Sequence, residues 1–140
     1  MTTAGIQWSA AAHVHYSTGT DIDGIAVADA AGITTDEISG ADKLSTEISI
    51  IAVEDNTGAI DGDVIIDVLR SDNDEDSEGW SNSTDENMQF RFTPTQNDTE
   101  RFSFTLYHDT ISDFKLYIYN DAGQELAITV NQRQSTLVSA

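Results

Sequence analysis

The stretch LSTEISIIAVEDNTGAIDGDVIIDVLRS, residues 44–71, decides the fold. Its first ten residues alternate, which places Leu44, Thr46, Ile48, Ile50 and Ala52 on one side of an extended chain. Its last nine do the same with Val64, Ile66 and Val68. Between them, residues 54–62 (EDNTGAIDG) are rich in Asn, Asp and Gly, the residues that accept turn geometry. Two strands joined by a turn are therefore expected here.

The same period runs outward in both directions. In residues 6–16 it puts Ile6, Trp8, Ala10, Ala12, Val14 and Tyr16 on one face of a single expected strand. Residues 17–43 read as a long connection, with a short strand around Ile22, Ile25 and Val27. After a polar loop at 72–86 come MQFRFT, with Met88, Phe90 and Phe92 inward, and RFSFTLY, with Phe102, Phe104 and Leu106 inward. Pro94 and Gln96-Asn97-Asp98 separate these by a hairpin's length. FKLYIY and LAITVNQR, around Asn120-Asp121-Ala122-Gly123, form a second expected hairpin. Seven to eight strands with regular turn signals and no helical pattern predict an all-β fold, a single antiparallel sandwich. Residues 44–133 are its best-patterned part, 1–43 an N-terminal strand and connection, and 134–140 a short tail. Alternation alone does not separate a jelly roll from an immunoglobulin-like sandwich.

Charge narrows the setting. The chain has 140 residues, 25 of them acidic and six basic, for a net charge of -19. The acids are spread from Asp21 to Glu125, across the expected strands. At ~0.15 M salt the Debye length is ~8 Å and such a surface repels itself; at molar salt the length falls to ~3 Å and the repulsion is screened. Asp, Ser and Thr in abundance with only Lys43 and Lys115 as lysines point to a protein of a salt-loving organism or of its virus, the alternative being an ordinary acidic surface protein. The same charge disfavours binding to nucleic acid, whose phosphates it would repel. No apolar run has the length of a membrane-spanning helix, and no secretory leader is expected from the first residues. Without cysteine the chain has no disulfide, thiolate ligand or thiol nucleophile.

Three features invite chemistry. Asp72, Asp74 and Asp76 alternate like the start of a calcium loop, but Ser77 stands where the loop's glycine belongs and Ser83 where its closing glutamate belongs. A solvated acidic loop is the better reading, and no metal or other cofactor is expected. His13 and His15 flank Val14 at a spacing that suits zinc if His108 or a carboxylate completes the set, but two polar-face histidines at a sheet surface or subunit contact are the better reading. Trp80 lies within the charged loop, either anchoring a contact or folding back over the sandwich edge. If Trp80 stacked on a sugar beside a calcium-filled Asp72–Asp76 loop, the chain would be a carbohydrate-binding module. No nucleophile elbow, phosphate loop or metalloprotease helix is present, so no enzyme is expected.

The three segments LSTEISIIAVEDNTGAIDGDVIIDVLRSDND, MQFRFTPTQNDTERFSFTL and FKLYIYNDAGQELAITVNQR together resemble small β-sandwich virion proteins of tailed viruses. Such chains resemble head decoration, or cement, proteins of jelly-roll type, and the similarity covers residues 44–133. It implies a jelly-roll-like sandwich on the outer surface of the virion head. There it would hold the major capsid protein's shell together as a homo-oligomer at a symmetry axis. A tail, vertex or host-attachment position is the alternative within the particle. Under this resemblance the aromatics Trp8, Trp80, Tyr107, Tyr117 and Tyr119 are the interface candidates.

Overall fold

A computed structural model describes residues 4–55, 58–71, 80–81, 88–109 and 111–139. Among them the chain is all β. The strands are β1 (Ala4–Trp8), β2 (Ala12–His13), β3 (His15–Tyr16), β4 (Thr20–Asp21), β5 (Ile25–Val27), β6 (Ala31–Thr34) and β7 (Ile38–Ser39). There follow β8 (Ser45–Val53), β9 (Asp63–Ser71), β10 (Trp80–Ser81), β11 (Gln89–Phe92), β12 (Thr99–Tyr107), β13 (Asp113–Asp121) and β14 (Leu126–Ser139). Fourteen strands replace the seven or eight expected, because several are short pieces that share one lane of a sheet.

Besides the small two-stranded pair β3–β4, two six-stranded antiparallel sheets form. In the first, which we call the front sheet, β14 is central: β1, β2 and β5 lie along one side of it, then come β8 and β12 on the other. In the second, the back sheet, β10 and β11 share a lane beside β9, followed by β13 and then β6 and β7. Apart from β9 and the β10–β11 lane, each lane is followed along the chain by one in the opposite sheet. That arrangement is the jelly roll, two Greek keys wrapped into a sandwich. One core lies between the sheets, built from Ile48, Ile50, Ala52, Val64, Ile66, Val68, Phe114, Leu116, Ile118, Leu126, Ile128, Val130 and their neighbours.

Both expected hairpins are overturned. β11 pairs with β9 and β12 with β8, so the segment around Pro94 carries the chain from one sheet to the other. The phenylalanines therefore face each other across the core instead of lying side by side, and Phe92 stacks on Phe102 with centroids 5.4 Å apart. Likewise β13 belongs to the back sheet and β14 to the front, so residues 122–125 are a crossing. Buried Asn120 organises that crossing: its amide donates to the carbonyls of Val27 and Gln124, and its own carbonyl accepts from Ala122 N–H.

The turn after β8 presses against the same crossing. Asp61 N–H donates to Ala122 O at 2.9 Å, and a Cβ on Gly62 would meet the Asp121 carbonyl oxygen at 2.0 Å. Gly123 has φ +89° and a Cβ there would strike the Asp61 carboxylate. Gly62 and Gly123 are thus explained by two crossings packed into one another.

The N-terminal strand also differs from expectation. β1 is in register with β14 through Trp8↔Ser135, but β2 through Ala12↔Gln132, a slip of one residue. A single extra residue reverses which side chains face in. Val14 is consequently buried while Ile6 and Trp8 are exposed, as are Ala10 and Ala12. Residues 17–43 are no mere connection: they supply β4 to β7 and the buried side chains of Ile22, Val27, Ile33 and Ile38. Leu44 and Met88, expected inward, lie just outside β8 and β11 and are exposed. The loop at 72–86 contains a strand at Trp80–Ser81.

Candidate functional site

Alternation along β8, β12 and β14 fixes what the outer face of the front sheet presents. Opposite the buried Ile48, Ile50, Phe104, Leu106, Ile128 and Val130 stand Ser45, Glu47, Ser49 and Ile51 on β8. Beside these lie Arg101, Ser103, Thr105 and Tyr107 on β12 and Thr129, Asn131, Arg133 and Ser135 on β14. Glu47 is the only carboxylate that these three strands send outward. It is neutralised, since the Arg133 guanidinium grips it with Nε at 2.9 Å and Nη2 at 3.2 Å. The Trp8 ring covers that guanidinium at 4.6 Å from its centroid, a cation–π contact. Among the described residues no carboxylate pairs with Arg101.

The row above is aromatic at both ends. Tyr107, Ser45, Ser135 and Trp8 are cross-strand neighbours on successive lanes. The two serine hydroxyls are buried and lie 2.6 Å apart. Lower on the face, Ser49, Ser103, Asn131, Arg101, Arg133 and Glu47 line a shallow depression of about 270 Å³. The face thus offers hydroxyls, an amide and guanidinium groups, with aromatic side chains along one end.

The back sheet's outer face is different in charge. Asp63, Asp67, Asp113 and Asp121 point outward there against Arg91 and Lys115. Asp63 and Asp121 stand directly opposite one another, an arrangement that costs stability unless screened. Tyr117 and Tyr119 share this face, with ring centroids 6.2 Å apart and Tyr117 lying over Gly32, which has no side chain to obstruct it. Their outward placement agrees with the burial of Phe114, Leu116 and Ile118 between them.

The five expected interface aromatics therefore do not form one site. Trp8 and Tyr107 share the front face, and Tyr117 and Tyr119 the back. Trp80 is paired through its backbone with Ser71 at the edge of the back sheet, and its side chain lies outside the described residues. Asp72, Asp74 and Asp76 also lie outside them, and with them the calcium and glycan readings.

The histidines are engaged separately. His13 Nδ1 bonds Asn131 Oδ1 at 2.7 Å, while His15 Nε2 lies 2.9 Å from Asp21. His108 cannot join them: it donates from Nδ1 to the Ile111 carbonyl, and its Nε2 meets the Thr46 hydroxyl at 2.6 Å. Among the described residues no three His, Cys, Asp or Glu side chains are grouped to hold a metal ion.

Sequence reasoning missed Arg101, Arg133 and Glu47 as a set. Their shared face was implicit in the alternation of β8, β12 and β14, but that these strands are neighbours was not. No protein-family model matches the chain, and no curated protein matches it in sequence.

Proposed function

We propose that the chain is a structural, non-catalytic component of a virus particle of the tailed type, seated on the outside of the head and reinforcing the shell. Its partners are the major capsid protein and further copies of itself, and its setting is rich in salt. The observation that carries this reading is the front face: in a chain with 25 acidic residues, β8, β12 and β14 turn one carboxylate outward, and Arg133 neutralises it. A surface kept clear of like charge is one that can approach another acidic surface. In concentrated salt, long-range attraction is screened, so such a contact relies on apolar burial and on short, directional hydrogen bonds. The Ser, Thr and Asn side chains of this face, with Trp8 and Tyr107 beside them, suit that regime. Repetition over a lattice of identical shell sites turns modest single contacts into firm retention.

The test is cosedimentation with shells stripped of the protein, in molar KCl. Wild type binds in a copy number set by the capsomers. The paired substitution Ser103→Glu and Thr129→Glu, both on the front face, abolishes binding while leaving the strand signal in circular dichroism intact. Thr34→Glu on the back sheet does not. Equal binding by the front-face variant overturns the reading, and a copy number of a dozen or fewer moves the protein to a tail or vertex.

A further inference from the structure

Six of the seven large hydrophobic side chains exposed among the described residues gather at one end of the front sheet: Ile6, Trp8, Leu44, Tyr107, Leu137 and Val138. The cause is topological. β14 runs beyond the last residue that β8 can pair, Ser135 opposite Ser45, and from Thr136 to Ser139 only β1 lies beside it. Ile6 faces Leu137 directly across this two-stranded ribbon; they are 65% and 61% exposed. Val138, in the alternate position, lies on the ribbon's other face. Apolar patches of this kind on monomers are usually functional, and a two-stranded ribbon alone is only marginally stable in water.

We propose that this ribbon docks a second copy of the chain, the two β1 strands pairing antiparallel about a twofold axis so that the front sheet runs on through both copies. Charge selects the place. Two copies each carrying -19 repel wherever carboxylates meet, yet residues 1–12 and 134–140 contain no ionisable side chain. The other sheet edges are guarded: β12 carries Glu100 and Arg101, β11 carries Arg91, and β6 is flanked by Asp29 and Asp36. Self-complementarity selects the partner. Centred on Ile6, the strand AGIQW laid antiparallel against itself sets Ile6 against Ile6, Gly5 against Gln7 and Ala4 against Trp8. Gly5 then faces the larger Gln7, and each contact is repeated by the symmetry, as in any twofold interface. The outer edge of β1 supplies backbone groups for added ladder bonds, the recognition mode of strand addition.

The pairing does not rest on the particle reading, and the experiments separate the two. Light scattering of the full chain in molar KCl gives the mass of two copies. Ile6→Asp halves that mass with an unchanged circular dichroism spectrum, whereas Thr34→Asp on the back sheet leaves it at two copies. Because the chain has no cysteine, Ile6→Cys yields a covalent dimer on oxidation and Tyr107→Cys, at the opposite edge, yields none. A wild-type mass of one copy at the highest soluble concentration, or of three or five, overturns the proposal. So does an undiminished mass for Ile6→Asp. Shell binding that survives in a monomeric Ile6→Asp variant shows that the ribbon serves self-pairing; shell binding lost without change of mass assigns it to the shell and overturns the proposal.

Discussion

Phe90 of the back sheet and Phe104 of the front sheet lie face to face, 4.2 Å between ring centroids and 15° between ring planes. This contact closes the sandwich at one edge, where Phe92 and Phe102 stack next to it. Phe104 is the more buried of the first pair, at 9% exposure. Its replacement by Ala is expected to cost about 3–5 kcal/mol. Phe90→Ala, at a half-buried site, costs less. The double variant recovers a coupling of about 0.5–1.5 kcal/mol, the range measured for aromatic pairs. Denaturant unfolding in molar KCl measures all three, and strict additivity would show that the rings do not interact.

Asn120→Ala removes the side chain that joins three backbone groups at the β13–β14 crossing. Each buried group left without a partner costs about 1–3 kcal/mol, so a total loss of at least about 3 kcal/mol is expected. Asn120→Asp keeps the acceptor for Ala122 N–H but loses both donated bonds, and is expected to fall near Asn120→Ala. A loss under ~1 kcal/mol for either variant would mean that the crossing is held by packing alone.

Arg133→Lys tests the Trp8–Arg133–Glu47 arrangement. Lysine retains the charge but cannot fork onto the carboxylate or lie flat under an indole. The pair is partly exposed, so we expect a loss of about 1 kcal/mol or less. Tryptophan emission reports the change directly, because the environment of Trp8 shifts. Unchanged emission and stability would show that the guanidinium is replaceable by any cation.

Salt dependence follows from the like-charge contacts of the back sheet. Stability is expected to rise steadily with KCl as the Debye length falls from ~8 Å towards ~3 Å. Asp121→Asn, which removes one of two directly opposed carboxylates, is expected to raise stability at low salt by up to about 1 kcal/mol and to change little at molar salt. Equal wild-type stability across the series would remove the argument for a salt-adapted protein.

Much of the fold was legible because alternation is a property of single strands. The inward set of β9, and that of β8 apart from Leu44, follow from the sequence without reference to any partner. Pairing is another matter. A crossing such as 94–98 has the same Pro, Asn and Asp as a hairpin turn, and only the position of the whole strand in three dimensions tells them apart. The segment 6–16 misleads for a local reason: its alternation is unbroken in sequence, yet one extra residue opposite β14 turns Trp8 outward and Val14 inward. The candidate face could be assembled only once β8, β12 and β14 were known to be adjacent. The aromatics chosen as anchors were split between two faces because the sequence does not say which sheet each strand joins.

The central place of β14 in the front sheet has a consequence for biosynthesis. Leu126–Ser139 is the lane on which β1, β2, β5 and β8 are all assembled. In a nascent chain emerging from the ribosome, every lane of the back sheet is out by Asp121, but β1, β2 and β5 have no front-sheet partner until this segment follows. Until then those strands remain accessible to chaperones and proteases.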